Sequence, residues 1–275
     1  MDYFLMRELI SELFENPREF LRKLRVKPNV AKIEVKSYIG QETTRYVEKR
    51  LKEAEDDGDI KAVLLVIDSP GGSSYHSFRL SHRLRKSKKP VYALIENFGA
   101  SGAYQVACAS EKIIAGEESI VGSIGVVGAS LLNYKGLLEK LGIKYILVKA
   151  GKHKWGLNQY GEIDEEVLSN RQKMVDSDYE RFVGDVAEYR GLERDVVEGY
   201  GDIYNAQDVL GTLVDKIGYE DEALDAIKEG LKLEKVKVKS PRSIKNLFGL
   251  SLFYAGTKDE INGFFSQSSQ AVYRA

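Results

Sequence analysis

Cysteine, histidine, proline and tryptophan are all scarce. The 275 residues hold one cysteine, three histidines, five prolines and one tryptophan. The single Cys108 excludes an intrachain disulfide. Its place in the small-residue run Val106–Ala109, with no cation before Lys112, reads as a packed core thiol rather than a nucleophile. Charge of one sign is missing too. Lys and Arg number 41 against 42 Asp and Glu, a net charge of -1, so no basic excess points to nucleic acid. A membrane span needs about 20 mostly apolar residues. The longest apolar runs, Ala62–Ile67 and Leu247–Gly256, are far shorter. The N-terminus, Met1–Arg25, alternates charge with Leu, Phe and Ile at helical spacing, without the unbroken apolar segment of a secretory signal. It reads as a helix docked on the body, with a membrane-surface or partner helix as the alternative. With neither signal peptide nor spanning helix, the expected setting is cytoplasmic or membrane-peripheral.

What is present is a repeating order of strands and helices. Ala31–Ser37 alternates apolar and polar residues as a half-buried strand does. Thr43–Asp57 places Val47, Leu51 and Ala54 on one helical face. Lys61–Asp68 and Pro90–Glu96 are near-continuous apolar runs, the pattern of strands covered on both faces. Lys112–Gly116 and Lys144–Gly151 read as further strands, and Asn133–Gly142 as a helix. Asp164–Leu192 keeps helical spacing throughout, and Ala206–Gly218 reads as a short helix running into a strand. This alternation predicts βαβ units in a mostly parallel sheet. The expected divisions are a helical segment at 1–30, one α/β body at 31–233 and a loosely attached tail at 234–275.

Ligands of such sheets bind beyond the carboxyl ends of the strands. Four glycine-rich stretches fall at those predicted ends: DSPGGS, ENFGASG, GSIGVVG and KAGKHKWG. Ser101, in the second, starts a predicted helix, so it reads either as an N-cap or as a nucleophile on a turn kept small for substrate. A serine nucleophile needs a base. His76 and His82 lie in a basic helix and read as solvated, which leaves His153, oriented by a carboxylate such as Asp164, for a Ser–His–Asp triad. Lys152 and Lys154 flank His153, and a desolvated lysine is the other base that serves a serine. Such a lysine needs a partner for its amine, and Ser123 would serve. The backbone N–H groups of Gly71 and Gly72, with that of Gly102, are candidate donors to an oxyanion.

In that order and spacing, IDSPGGS, GASGAYQVA, IVGSIGVVG and GKHKWG resemble the signal peptide peptidase A family of serine peptidases. The likeness runs from about Ala31 to Gly218 and includes ERFVGDVAEYRGL and GDIYNAQDVLGTLVDKIG. It implies an α/β fold of the Clp protease/crotonase type over 31–233: repeated ββα and βαβ units around a mostly parallel sheet. It implies Ser101 as nucleophile, Lys154 as general base and Ser123 as the hydroxyl orienting that lysine, with oxyanion donors at Gly72 and Gly102. No cofactor or metal is implied. The implied partners are a peptide substrate, unfolded or hydrophobic, and further copies of the chain in a closed homo-oligomer with shared active sites. Peripheral membrane association stays open, and nucleic acid is not expected. The chain departs from the family at Ala103, where a second glycine is usual, and at Trp155 after the lysine. Two other classes remain as alternatives: a non-catalytic scaffold for a membrane partner, and a crotonase-like acyl-CoA enzyme.

Overall fold

The computed structural model describes residues 27–128 and 130–239. The expected helical segment at the N-terminus and most of the expected tail lie outside the described residues. A single sheet organises the rest. β1 (Val30–Lys36) leads to helix α1 (Gln41–Asp56), β2 (Ala62–Ser69), α2 (Ser74–Arg85) and β3 (Val91–Ala100). Then come the short α3 (Gly102–Cys108), β4 (Lys112–Ala115) and β5 (Ile120–Gly122). Beyond an arm containing α4 (Lys135–Lys140), the long α5 (Glu165–Arg190) returns the chain to the body. α6 (Arg194–Glu198), β6 (Ile203–Asn205), a 3-10 turn (Ala206–Val209), β7 (Lys216–Ile217), α7 (Glu220–Gly230) and β8 (Val238–Lys239) complete it. The strand order is β6-β5-β3-β2-β1-β8, with β4 joining β3 to β7. Every pair is parallel except β5 with β6.

The apolar runs of the sequence explain this layering. In β2, Val63, Leu65 and Ile67 enter a core shared with α1, α2, α3 and α5. Ala62, Leu64 and Val66 point the other way and meet Ala223, Ala226 and Ile227 of α7. A strand covered on both faces has no polar face to show, hence the unbroken run. The basic stretch after the SPGG turn is matched by α1: Arg79 pairs with Glu48 at 2.7 Å and Arg83 with Glu55 at 2.6 Å. Cys108 is buried, its thiol bonded to the Gln105 carbonyl at 3.1 Å, and burial pushes that thiol well above its ordinary range. It is the packed core thiol its neighbours in sequence predict.

One irregularity places the site. β3 pairs with β4 through Tyr92–Ile95, then changes partner and pairs with β5 through Phe98–Ala100. A register shift against β2 accommodates the change, and the Phe98 N–H donates to Asp68 Oδ1 at 3.2 Å across it. Ser119 Oγ, buried, donates to the carbonyls of Ile95 and Glu96 at the fork. The chain therefore leaves β3 at Ser101 beside β5, not beside β4.

The arm differs from its predicted form. Lys144–Gly151 is not a strand: it pairs with nothing among the described residues and is exposed along its length. Ile146 is 82% and Val148 94% exposed. The β-branched run carries strand propensity, but propensity makes a strand only where a partner edge comes within reach, and the strand order includes no segment of the arm. The first half of α5 is exposed with the arm, and only Phe182, Val183 and Val186 of its second half are buried. No helix among the described residues is long and apolar enough to cross a membrane.

Candidate active site

Ser101 is the N-cap residue of α3, yet its side chain makes no capping hydrogen bond. Its backbone stands at φ 53, ψ -129, a conformation costing a non-glycine residue about 1–3 kcal/mol. The surroundings hold it there: its N–H donates to the Gly122 carbonyl at 2.8 Å, and its own carbonyl accepts from the Gln105 N–H at 3.1 Å. All seven residues of α3 behind it are buried, and the Tyr104 hydroxyl donates to the Leu213 carbonyl at 2.9 Å. A cap would use the hydroxyl on the helix. Here the hydroxyl is left for something else.

The SPGG turn lies against this serine. Gly71 has φ +108, and a Cβ on it would fall 2.9 Å from Gly102 N and 3.0 Å from Ser101 Cβ. A side chain on Gly72 would enter the backbone of Ile39, with which Gly72 forms a parallel bridge. The bridge bonds run from Ile39 N–H to Gly71 O at 2.8 Å and from Ser73 N–H to Ile39 O at 3.0 Å. In that pattern the N–H of Gly72 itself points away from Ile39. The Gly71 N–H is committed to Ser69 Oγ at 3.1 Å. Among the described residues, neither the Gly72 nor the Gly102 N–H joins any such bond. A Cβ on Gly102 would lie 3.4 Å from Gly72 N, so two free amides stand side by side next to the serine.

Ser123 joins them. Ala100 pairs with Gly122, so Ser101 and Ser123 occupy adjacent positions just past paired strands. Ser123 also has a positive φ of 52, and its N–H donates to the Asp202 carbonyl at 2.6 Å. Sequence reasoning passed over two supporting serines. Ser69 shapes the glycine turn, and its signal was a serine directly before Pro-Gly-Gly. Ser77 is buried with its Oγ unpartnered, filling the space a side chain at position 102 would need.

Among the described residues, no hydrogen bond or ion pair joins the loop of Lys154 to this cluster. Lys154 is exposed in a turn closed by its N–H on Gly151 O at 3.3 Å. Its amine forms no ion pair among the described residues, while Lys152 pairs with Glu166 at 3.2 Å. His153 and Asp164 do meet, Nδ1 to Oδ2 at 3.0 Å. The other ring nitrogen faces Glu166 Oε2 at 3.5 Å. His82 is exposed as expected, whereas His76 is half-buried with Nδ1 3.1 Å from Thr44 Oγ1. Of the four glycine-rich stretches, three converge and the fourth lies on the arm.

A mostly parallel sheet with helices on both faces defines an α/β fold of the Clp protease type, and at its strand ends it presents a strained, uncapped serine beside paired amides. The chain belongs to Peptidase family S49, whose model matches residues 83–234. It is 41% identical over 190 residues to a protein of Enterococcus faecium that carries the name of a signal peptide peptidase, covering 67% of this chain and 55% of that one. It is 38% identical over 225 residues to a protein of Methanocaldococcus jannaschii that carries the name of a protease, covering 77% of this chain and 70% of the relative. The chain thus spans about half the length of the enterococcal relative. Among solved structures, a point mutant of the 1510-N membrane-bound stomatin-specific protease superposes with a TM-score of 0.51 at 15% identity. That match covers 80% of this chain and all of the other, and it bears out the expected fold.

Proposed function

We propose that this chain is a serine endopeptidase that cleaves unfolded or hydrophobic peptides through an acyl-enzyme, with Ser101 as nucleophile and Lys154 as general base. The observation that carries the reading is the uncapped, strained Ser101 beside the free amides of Gly72 and Gly102. The Lys154 amine takes the hydroxyl proton as Ser101 Oγ attacks the peptide carbonyl, with Ser123 orienting the amine. The oxygen that becomes negative then sits between two backbone donors, an arrangement typically worth about 3–4 kcal/mol per donor to the transition state. The protonated lysine returns its proton to the leaving amine, and water repeats the sequence on the ester. Gly71 serves as spacer, since its N–H is already bonded to Ser69.

The reading extends to a shared site, in which Lys154 of one subunit serves Ser101 of its neighbour. The support is the arm itself: Leu132, Ile146, Val148 and Trp155 are 69%, 82%, 94% and 61% exposed. Burying such side chains gains about 1.5–3 kcal/mol each, which favours a subunit contact that also removes the Lys154 amine from water. The test is to dissociate and remix Ser101→Ala and Lys154→Ala subunits. With random exchange about a quarter of the sites regain both groups. No recovery despite proven exchange would place both groups in one chain. Full peptide hydrolysis by Lys154→Ala alone would end the serine–lysine assignment.

A further inference from the structure

We propose that His153 is a positioning residue for Lys154: gripped between Asp164 and Glu166, it clamps the Gly151–Gly156 loop to the first turn of α5 and fixes where the lysine amine stands. The inference rests on Lys154 being the general base, and deepens that reading.

Residues 151–155 are all exposed, so no apolar core holds the loop. A segment of that kind keeps its place by a few polar ties. Those ties surround Lys154. On one side the Lys149 amine donates to the Lys152 carbonyl at 3.0 Å and Lys152 pairs with Glu166 at 3.2 Å. On the other the Asp164 N–H donates to the Gly156 carbonyl at 2.8 Å. A Cβ at Gly156 would lie 2.9 Å from the Cβ atoms of Asp164 and Val167, so loop and helix are in contact there. His153, next to the lysine, supplies the side-chain grip.

The imidazole faces a carboxylate on each side. Its Nδ1–H donates to Asp164 Oδ2 at 3.0 Å, and Nε2 stands 3.5 Å from Glu166 Oε2. An ionised carboxylate only accepts, so both ring positions face groups that want a donor. The base of a serine triad keeps Nε2 for the hydroxyl, and this one faces a second carboxylate instead. Nor do the three side chains form a group able to hold a metal. Asp164 is itself anchored, its Oδ1 accepting from the Glu166 and Val167 N–H groups as cap of α5. The bond from His153, followed by those backbone bonds, holds its carboxyl below the usual range. The clamp therefore ends on a rigid point, the helix start. The residue after the lysine, Trp155, sits at φ 63, an uncommon conformation for a bulky side chain and one the ties on both sides maintain.

Exposed ties of this sort add little to global stability. Their effect is on geometry, where a base displaced by about 1 Å loses up to about 100-fold in rate. The experiment measures the rate at which a fluorophosphonate probe labels Ser101 in wild type, His153→Ala, His153→Arg, Lys154→Ala and Ser101→Ala. For His153→Ala the labelling rate at saturating probe should fall about 5- to 30-fold, with an unchanged half-saturating concentration and unfolding midpoint. Arginine presents several donors to the two carboxylates, so His153→Arg should recover to within about threefold of wild type. A wild-type rate in His153→Ala would overturn the clamp and leave the serine–lysine reading standing. Equal losses in the alanine and arginine variants, with a lowered unfolding midpoint, would reduce His153 to a folding role and also overturn it. Loss in His153→Ala as complete as in Ser101→Ala, with Lys154→Ala still labelled, would make His153 the base and sink both proposals.

Discussion

The two halves of the candidate site are built in opposite ways. Ser101, Gly72, Gly102 and Ser123 stand on turns whose backbone bonds and packing are fixed by the sheet and by a fully buried helix. Lys154 stands on an arm whose residues 141–155 are all exposed. Folding of one chain fixes Ser101 and the two amides beside it, because the sheet that carries them is also the core. It does not fix Lys154 in the same way. An arm that buries so little is placed by polar ties at its root and by whatever surface it meets, so under the proposed function the half that would supply the proton acceptor depends on assembly.

The sharpest way to break this contrast is to add one methyl group to each half. In Gly72→Ala the new Cβ enters the Ile39 backbone, which can yield only by undoing the bridge that aims the Gly72 amide. The expected cost is about 3 kcal/mol of stability together with nearly all activity. Gly136, in the exposed helix of the arm, has nothing within 4 Å of its would-be Cβ. Gly136→Ala should stabilise, by at most about 1 kcal/mol, with activity retained. Urea unfolding and peptide hydrolysis report both. Equal losses in the two variants would mean the arm is as tightly packed as the body.

The same contrast decides what was legible in the sequence. The strands of the body were readable because β2 must bury both faces, and six successive apolar residues, Ala62–Ile67, have no other use. The serine half was readable because small residues cluster where backbone must approach backbone. Three things were not. The fork of β3 arises from a register shift that no local pattern announces. The strain at Ser101 is imposed by Gly122 and Gln105, which are distant or downstream, so sequence left cap and nucleophile undecided. Lys144–Gly151 has a strand's composition without a strand's partner, and composition cannot say whether a ladder edge lies beside it.

A smaller effect separates the ion pairs of the two regions. Arg190 closes the end of α5 on the body: its side chain is 7% exposed, donates to the Thr212 carbonyl and takes Asp215 through two bonds of 2.9 Å. Burial works against its charge, but the bond to Asp215 prevails and raises its pKa. Arg190→Met leaves the Thr212 carbonyl without its partner and Asp215 with only the Ile113 N–H, and should cost about 3 kcal/mol in urea unfolding. Lys152→Ala, which removes the exposed pair with Glu166, should cost less than about 1 kcal/mol. A loss in Lys152→Ala matching that of Arg190→Met would tie the arm's pairs to the global fold.

The smallest difference is expected in acid, where two carboxylates shifted in the same direction should behave differently. Glu55, 6% exposed, accepts from Arg83 at 3.0 and 2.6 Å and from the Lys88 N–H at 3.0 Å. Burial alone would raise its pKa; the bonds from Arg83 and Lys88 outweigh burial and hold it below its ordinary 4.5. A depressed carboxylate contributes stability that is present above its unfolded value and is lost as pH falls through the folded one. Glu55→Gln should therefore cost about 1–3 kcal/mol at neutral pH and lose less than wild type below about pH 4.5. Asp164 is also depressed, first by its bond from His153, so its contribution has the same sign. It lies at the root of the exposed arm, where solvent screens it and opening need not unfold the sheet. Unfolding midpoints in urea, followed from neutral pH into acid, should give Asp164→Asn the wild-type acid limb and Glu55→Gln a flatter one. If Asp164→Asn flattens the limb as much, arm and body unfold together, and the division between a sheet-borne serine and an exposed lysine arm no longer rests on stability.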